Sequence, residues 1–372
     1  MMIDDYSTEK RSVGMYSILE LKNFRSFKEI SLELKPITLI AGKNNTGKSS
    51  ILDSLFMFQD YADPLVFLKL LGFRGMRQAD ISARTVWEPL FNNMDTKEPI
   101  EIRLNHEYSL RLQRNSEYVI SGNTLGLLDG KINMASNNYA LSCNFERDNM
   151  CFSGDYFIGN DNLNNNIMLH SRDNVPIQPN DAFVQYMGPN TTLNDITVAE
   201  IFGQIELSQN KLNKEKLLDT LAILDEDIVD ITTIVTNGHV QLYFTNRQNT
   251  KLPIHAIGDG LRKLLHLALI LLAKPGSLLL LDEVENGLHY SMHAKLWETI
   301  STLAMQEGSQ IVATTHSYEC IGGALDGVTA AGFGDSFAYI RLDKNEKGII
   351  PKTYSSEVLE RALHTDSRRD YR

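Results

Sequence analysis

Residues Gly42, Lys43, Asn44, Asn45, Thr46, Gly47, Lys48 and Ser49 follow the spacing G-x-x-x-x-G-K-[ST] in full, with Ser50 directly behind. Glycines let backbone N–H groups curl around a β-phosphate. A helix opening near Lys48 points its positive end at the same group, and Lys48 adds a mobile charge. Ser49 then offers its hydroxyl to Mg²⁺. A second run, Leu278 to Leu281 followed by Asp282 and Glu283, reads as a buried strand delivering two carboxylates beside that loop. Asp282 suits the Mg²⁺ shell and Glu283 suits polarising an attacking water. Taken alone, two acids after a strand could equally be solvated. A third run, I-V-A-T-T-H-S, sets His316 after another apolar strand, where a neutral imidazole can hydrogen-bond a γ-phosphate or the water. The fourth, Ala256 to Lys263, has Gly258, Asp259 and Gly260 at the opening of a helix. Backbone contact with a phosphate and a plain helix N-cap at Asp259 both fit it.

The elements that must position these residues follow from periodicity. Alternation over 16–24 and 31–40 predicts two strands, the second ending at the Gly42 turn, and Ile51, Leu52, Leu55 and Phe56 then recur at helical spacing. Short alternating runs (Ile100–Leu104, Tyr108–Leu112, Tyr118–Ile120, Tyr139–Phe145) and the polar 160–166 loop mark 61–185 as an inserted, mostly antiparallel lobe. Residues 194–224 read as helical. Strands Ile228–Thr236 and Val240–Thr245 flank an Asn237-Gly238 turn. Helix 261–273, strand 278–281, helix 293–305 and strand 310–314 alternate in the last third. The expected organisation is a flexible tail over 1–15, a first part of the main domain over 16–60, the inserted lobe over 61–185, and the second part over 186–372. The fold class is α/β with a β-rich inserted lobe and a helical subdomain.

Composition narrows the field. The 372 residues are 42% hydrophobic and 22% charged, with 36 Lys plus Arg against 47 Asp plus Glu, a net charge of −11. That balance argues against bulk-charge attachment to nucleic acid or anionic lipid. The 3 cysteines, Cys143, Cys151 and Cys320, fit no zinc spacing and read as reduced thiols of a cytoplasmic protein. The acidic opening carries no signal peptide. Leu264 to Leu281 is broken by Lys274, Pro275 and Gly276, short of the roughly 20 residues of a membrane span. His289 and His293 have a metal-ligand spacing, but Tyr290 replaces the glutamate a zincin needs. Lys69, Arg74, Arg77 and Arg84, with Phe67, Phe73 and Trp87 interleaved, read as a solvated face ahead of a nucleic-acid contact.

K-N-F-R-S-F near the start, G-K-N-N-T-G-K-S-S, G-D-G, D-E-V-E-N-G-L-H and T-T-H-S occur in that order. This set resembles the ABC-type ATPase heads of the SMC, RecF and OLD class, above all the stand-alone members labelled AAA ATPases and found in bacterial anti-phage systems. The resemblance covers about residues 16–317 and leaves the inserted lobe unmatched. It implies ATP and Mg²⁺ as ligands, Lys48 and Ser49 on phosphate and metal, Asp282 on the metal, Glu283 as general base and His316 as the switch. It also implies Glu285 to His289 as the D-loop, and Gly258, Asp259 and Gly260 as the signature closing on a partner's γ-phosphate. Arg25 is implied at the nucleotide, and an ATP-dependent homodimer as the active form. The Ser-Gly-Gly of transporters is missing, Gln185 is the candidate for the Q-loop, and the stretch after His316 is too short for a Toprim nuclease. The expected function is an ATP-hydrolysing switch regulating a separately encoded effector in anti-phage defence or a toxin–antitoxin-like system. A RecF-like clamp on DNA is the alternative. No membrane role is expected.

Overall fold

The N-terminal alternation is cut twice, at an Arg25-Ser26 turn and at Pro36. It therefore yields three strands where the pattern suggested two: β1 (Ile18–Phe24), β2 (Phe27–Glu33) and β3 (Ile37–Gly42). Arg25 has φ +48°, and Pro36 has no N–H to continue a ladder. A computed structural model describes residues 15–76, 81–116, 133–134, 139–148, 150–160, 165–172, 183–189, 195–207, 211–236, 239–346 and 348–364. The expected tail, the strand at Tyr118–Ile120, the Asn237-Gly238 turn, the centre of the 160–166 loop and Arg77 lie outside those residues.

Three helices follow β3, namely α1 (Lys48–Gln59), α2 (Val66–Phe73) and α3 (Ala83–Val86). Next come β4 (Ile100–Leu104), β5 (Tyr108–Asn115), β6 (Asn133–Met134), β7 (Ala140–Arg147), β8 (Met150–Asn160), β9 (Asn165–Ser171) and β10 (Val184–Met187). Helices α4 (Asp195–Leu207) and α5 (Lys211–Ala222) precede β11 (Ile228–Thr236), β12 (His239–Asn246) and β13 (Lys251–Pro253). The chain then alternates through α6 (Asp259–Ala273), β14 (Leu278–Leu281), α7 (His293–Gln306), β15 (Gln310–Thr315) and α8 (Tyr318–Ala330). It finishes with β16 (Phe337–Asn345), β17 (Gly348–Tyr354) and α9 (Ser356–His364).

The central sheet has 6 strands in the order β10-β14-β15-β3-β16-β17. The first five run parallel and β17 turns back against β16. An 8-stranded antiparallel sheet joins β2 and β1 to β4 and the strands after it. The 61–185 segment thus extends a sheet that the N-terminal hairpin begins, and residue 185 falls within β10 of the central sheet. The strands β11-β12-β13 make a third, small sheet.

Side-chain alternation along the central strands divides two cores. Ile40, Leu278, Leu280 and Val312 face α1 and the antiparallel sheet, while Ile37, Leu39, Leu279, Leu281, Ile311 and Ala313 face the helical layer of α4 to α9. Each such Leu or Ile contributes about 1.5–3 kcal/mol on burial. The all-apolar run of β14 and the Ile311-Val312-Ala313 centre of β15, buried along their whole lengths, are what a parallel strand covered on both faces requires. The α/β fold expected from the sequence is the fold observed.

Candidate functional site

Strand β3 is buried throughout and ends at Gly42, and α1 opens six residues later at Lys48 with Gly47 as its N-cap. No side chain caps those first amides, so they stay available to an anion. Two glycines are sterically required. Gly47 has φ +85°, and a Cβ there would stand 2.5 Å from Cζ of Phe27. At Gly42 a Cβ would stand 2.7 Å from the Leu342 carbonyl oxygen. Phe27 belongs to the N-F-R-S-F run, so one job of that motif is to floor the phosphate loop. Thr46 Oγ1 donates to the Lys43 carbonyl at 2.8 Å, bracing the turn. Lys48 Nζ donates to the carbonyls of Gly42 (2.7 Å) and Lys43 (3.1 Å). Burial pulls its pKa down, against Asp282, Glu283 and Glu285.

The parallel neighbours β14 and β15 bring the next residues to the same end of the sheet. Ser49 Oγ donates to Asp282 Oδ1 at 3.0 Å, across 233 residues of sequence. Thr314 Oγ1 donates to the same oxygen at 2.5 Å, and Tyr186 from β10 donates its O–H to Oδ2 at 2.8 Å. Burial and the Asp282 charge push the Tyr186 pKa up, which keeps that phenol a donor. One hydroxyl and one carboxylate held together are hard oxygen donors, and Mg²⁺ typically takes one or two protein ligands besides phosphate and water. The residues fit that ion.

Glu283 sits at φ +50°, an uncommon conformation for a residue with a Cβ. Its N–H donates to Thr314 Oγ1 at 2.9 Å, and its Oε2 accepts from Asn286 Nδ2 at 2.7 Å. His316 Nδ1 lies 4.0 Å from Glu283 Oε1 and 3.3 Å from Glu285 Oε1. The loop, both carboxylates and the histidine therefore share one site.

The G-D-G run opens α6, with Gly258 as N-cap rather than Asp259. Asp259 pairs with Arg262. A Cβ on Gly260 would stand 3.0 Å from Leu288, so the helix start abuts the turn over residues 285–289. One turn on, Lys263 Nζ donates to the carbonyls of Val284 (2.6 Å) and Asn286 (3.1 Å). Burial lowers its pKa to about 8.

Arg25 is engaged elsewhere. Its Nη2 lies 3.2 Å from the fully buried Asp53 of α1, which Arg74 also grips. Gln185 bonds the carbonyl of Tyr186 instead of the metal side of the site. The basic run is largely neutralised or inward: Lys69 pairs with Asp60 and Asp63, and Phe67 and Trp87 are core residues. His289 bonds Ser291 and His293 is buried. Among the described residues no group of three His, Cys, Asp or Glu could hold a metal. Sequence reasoning gave no individual role to Tyr186, Thr314, Lys263 or Asn286. Thr314, Lys263 and Asn286 lie inside the T-T-H-S, Ala256–Lys263 and Glu285–His289 runs, whereas nothing local marks Tyr186.

Comparison with known proteins agrees with this chemistry. Residues 15–185 match the family described as AAA ATPase domain. Residues 157–321 match the family described as AAA domain, putative AbiEii toxin, Type IV TA system. An ATP/GTP phosphatase of Helicobacter pylori is 26% identical over 93% of this chain and 97% of its own length. An uncharacterized protein of Methanocaldococcus jannaschii is 31% identical over 27% of this chain and 48% of its own. Among solved structures, an Smc head bound to the C-winged helix domain of ScpA aligns over 94% of this chain and 99% of its own at 15% identity, TM-score 0.48. The SMC head domain of Thermotoga maritima aligns over 91% and 98% at 12% identity, TM-score 0.43. Two AAA-type ATPase family models thus match within residues 15–321, and together with the phosphatase relative they support ATP hydrolysis.

Proposed function

We propose that this chain is an ABC-type molecular switch that binds ATP with Mg²⁺, dimerises around it, and parts on hydrolysis. The observation that carries the reading is the meeting of Ser49, Asp282, Glu283 and His316 at one end of the central sheet. The phosphate loop and Lys48 cradle the β- and γ-phosphates, and Ser49 and Asp282 hold the metal. Mg²⁺ supplies charge neutralisation on the phosphate oxygens. Glu283 accepts the proton of a water that attacks the γ-phosphorus, ADP leaves, and His316 orients that water. Gly258, Asp259 and Gly260, at the uncapped start of α6, form the surface that closes on a second copy's nucleotide. Arg25 reaches the nucleotide only after leaving Asp53.

In this reading hydrolysis serves as a timer on a conformational state. The most economical role is control of a separately encoded effector. One matching family carries a toxin–antitoxin description, which supports placing the switch in anti-phage defence or a toxin–antitoxin-like system. A clamp on DNA finds no support in the 69–84 run, whose Lys69 and Arg74 are paired internally. No helix among the described residues is long and apolar enough to cross a membrane. We place the protein in the cytoplasm on its free thiols.

Phosphate release and solution mass test the reading together. With ATP and Mg²⁺, Glu283→Gln should hold nucleotide, run as a dimer, and release phosphate about 100-fold or more slowly than the parent. Lys48→Ala should neither bind nor dimerise. A parental rate from Glu283→Gln would remove Glu283 as the base.

A further inference from the structure

Two carboxylates flank His316, and the geometry divides their work. Glu283 Oε2 is taken by Asn286, and its other oxygen is 4.0 Å from the imidazole. Glu285 is closer: its Oε1 accepts the His316 backbone N–H at 3.0 Å and lies 3.3 Å from Nδ1. The Glu285 side chain is only 9% exposed, and its Oε2 is buried without a hydrogen-bond partner. Lys263 and the Cys320 thiol both feel its charge.

A buried carboxylate with an oxygen left unfilled costs stability. The local turn does not need that side chain. Backbone bonds Asn286 N–H to Glu283 O, Leu288 N–H to Glu285 O and Val284 N–H to Thr314 O hold the turn, and Lys263 ties its carbonyls to α6. What the carboxylate does hold is His316, otherwise a half-exposed residue at the end of β15.

We propose that Glu285 is a positioning residue for His316. Its Oε1 keeps the proton on Nδ1, which leaves Nε2 as the acceptor-capable nitrogen. It also holds the ring off Glu283, so that Glu283 stays free to take the water's proton. This rests on the assignment of His316 to the hydrolytic site made above. Because Lys263 fastens the same turn to the signature helix, the histidine's position is tied to α6 through this residue.

A double-mutant cycle in the full chain, read as ATP turnover with Mg²⁺, tests it. Glu285→Ala should lower kcat about 10- to 100-fold, with affinity for a fluorescent ATP analogue changed by less than about twofold. Glu285→Gln, whose amide oxygen can still accept from His316, should keep most of the activity. In a His316→Ala background, Glu285→Ala should cost nothing further. If the two losses multiply in the double variant, or if Glu285→Ala turns over at the parental rate, Glu285 does not act through His316. A parental rate in the His316→Ala single variant overturns the assignment of His316 as well, and so marks that failure separately.

Discussion

Gly47 shows how much one position can carry. Its φ of +85° suits glycine, and the Phe27 ring fills the space a Cβ would take. Gly47→Ala therefore meets two penalties, left-handed backbone strain of about 1–2 kcal/mol and displacement of a core ring. The expected outcome is a lower unfolding midpoint in urea together with loss of nucleotide binding, because the loop above Phe27 shifts. Retained binding with only lowered stability would show that the loop tolerates movement of its floor. Glu283 displays the related economy of an active site, a non-glycine residue at φ +50° kept there by Thr314 and Asn286.

At the scale of elements, β10 and α6 do more than their sequences suggest. Strand β10 is the edge of the central sheet, yet it supplies the Tyr186 hydroxyl to Asp282. Tyr186→Phe keeps the ring that stacks on Phe73 at 4.0 Å and deletes that one donor. It should raise the Mg²⁺ concentration needed for half-maximal turnover about tenfold, with little change in stability. Helix α6 carries His266, whose pKa is lowered to about 4, first by burial and then by Arg262. Between the unfolded value near 6.5 and the folded value, the unfolded chain binds the proton and the folded one does not. Stability should thus fall as pH drops from 6.5 to 4, by on the order of 3 kcal/mol. His266→Leu should flatten that part of the urea-midpoint profile, and an unchanged slope would mean that other groups set it.

For the molecule as a whole, β3, β14 and β15 give alternate side chains to two cores. Neither layer can be lost without exposing the back of the same sheet, so calorimetry should show one transition rather than separate melting of the antiparallel sheet. The proposed ATP site lies at the junction of both cores. At a hundredfold excess over its Kd, ATP should stabilise the whole transition by roughly 2.7 kcal/mol, and Lys48→Ala should abolish the shift. A shift confined to one of two resolved transitions would show that the layers are uncoupled.

Much of the site was legible because its chemistry is written in contiguous residues. Gly42 to Ser49, Asp282-Glu283 and His316 each depend on a strand end and a few dihedral angles that local residue types dictate. Residue patterning likewise located β1, β4, β5, β7, β11, β12, β14 and β15, gave no strand at β8, β9, β16 or β17, and failed at 31–40 because Pro36 leaves the side-chain pattern intact while removing a donor. What only the tertiary structure decided are the partners. The order β10-β14-β15-β3 sets Ser49 against Asp282 across 233 residues, brings in Tyr186 and Thr314, and turns Glu285 onto His316. Packing of the N-terminal hairpin on α1 likewise commits Arg25 to Asp53. Such contacts arise from which strands lie side by side, a long-range choice made by burying both faces of one sheet, and no short window of sequence records it.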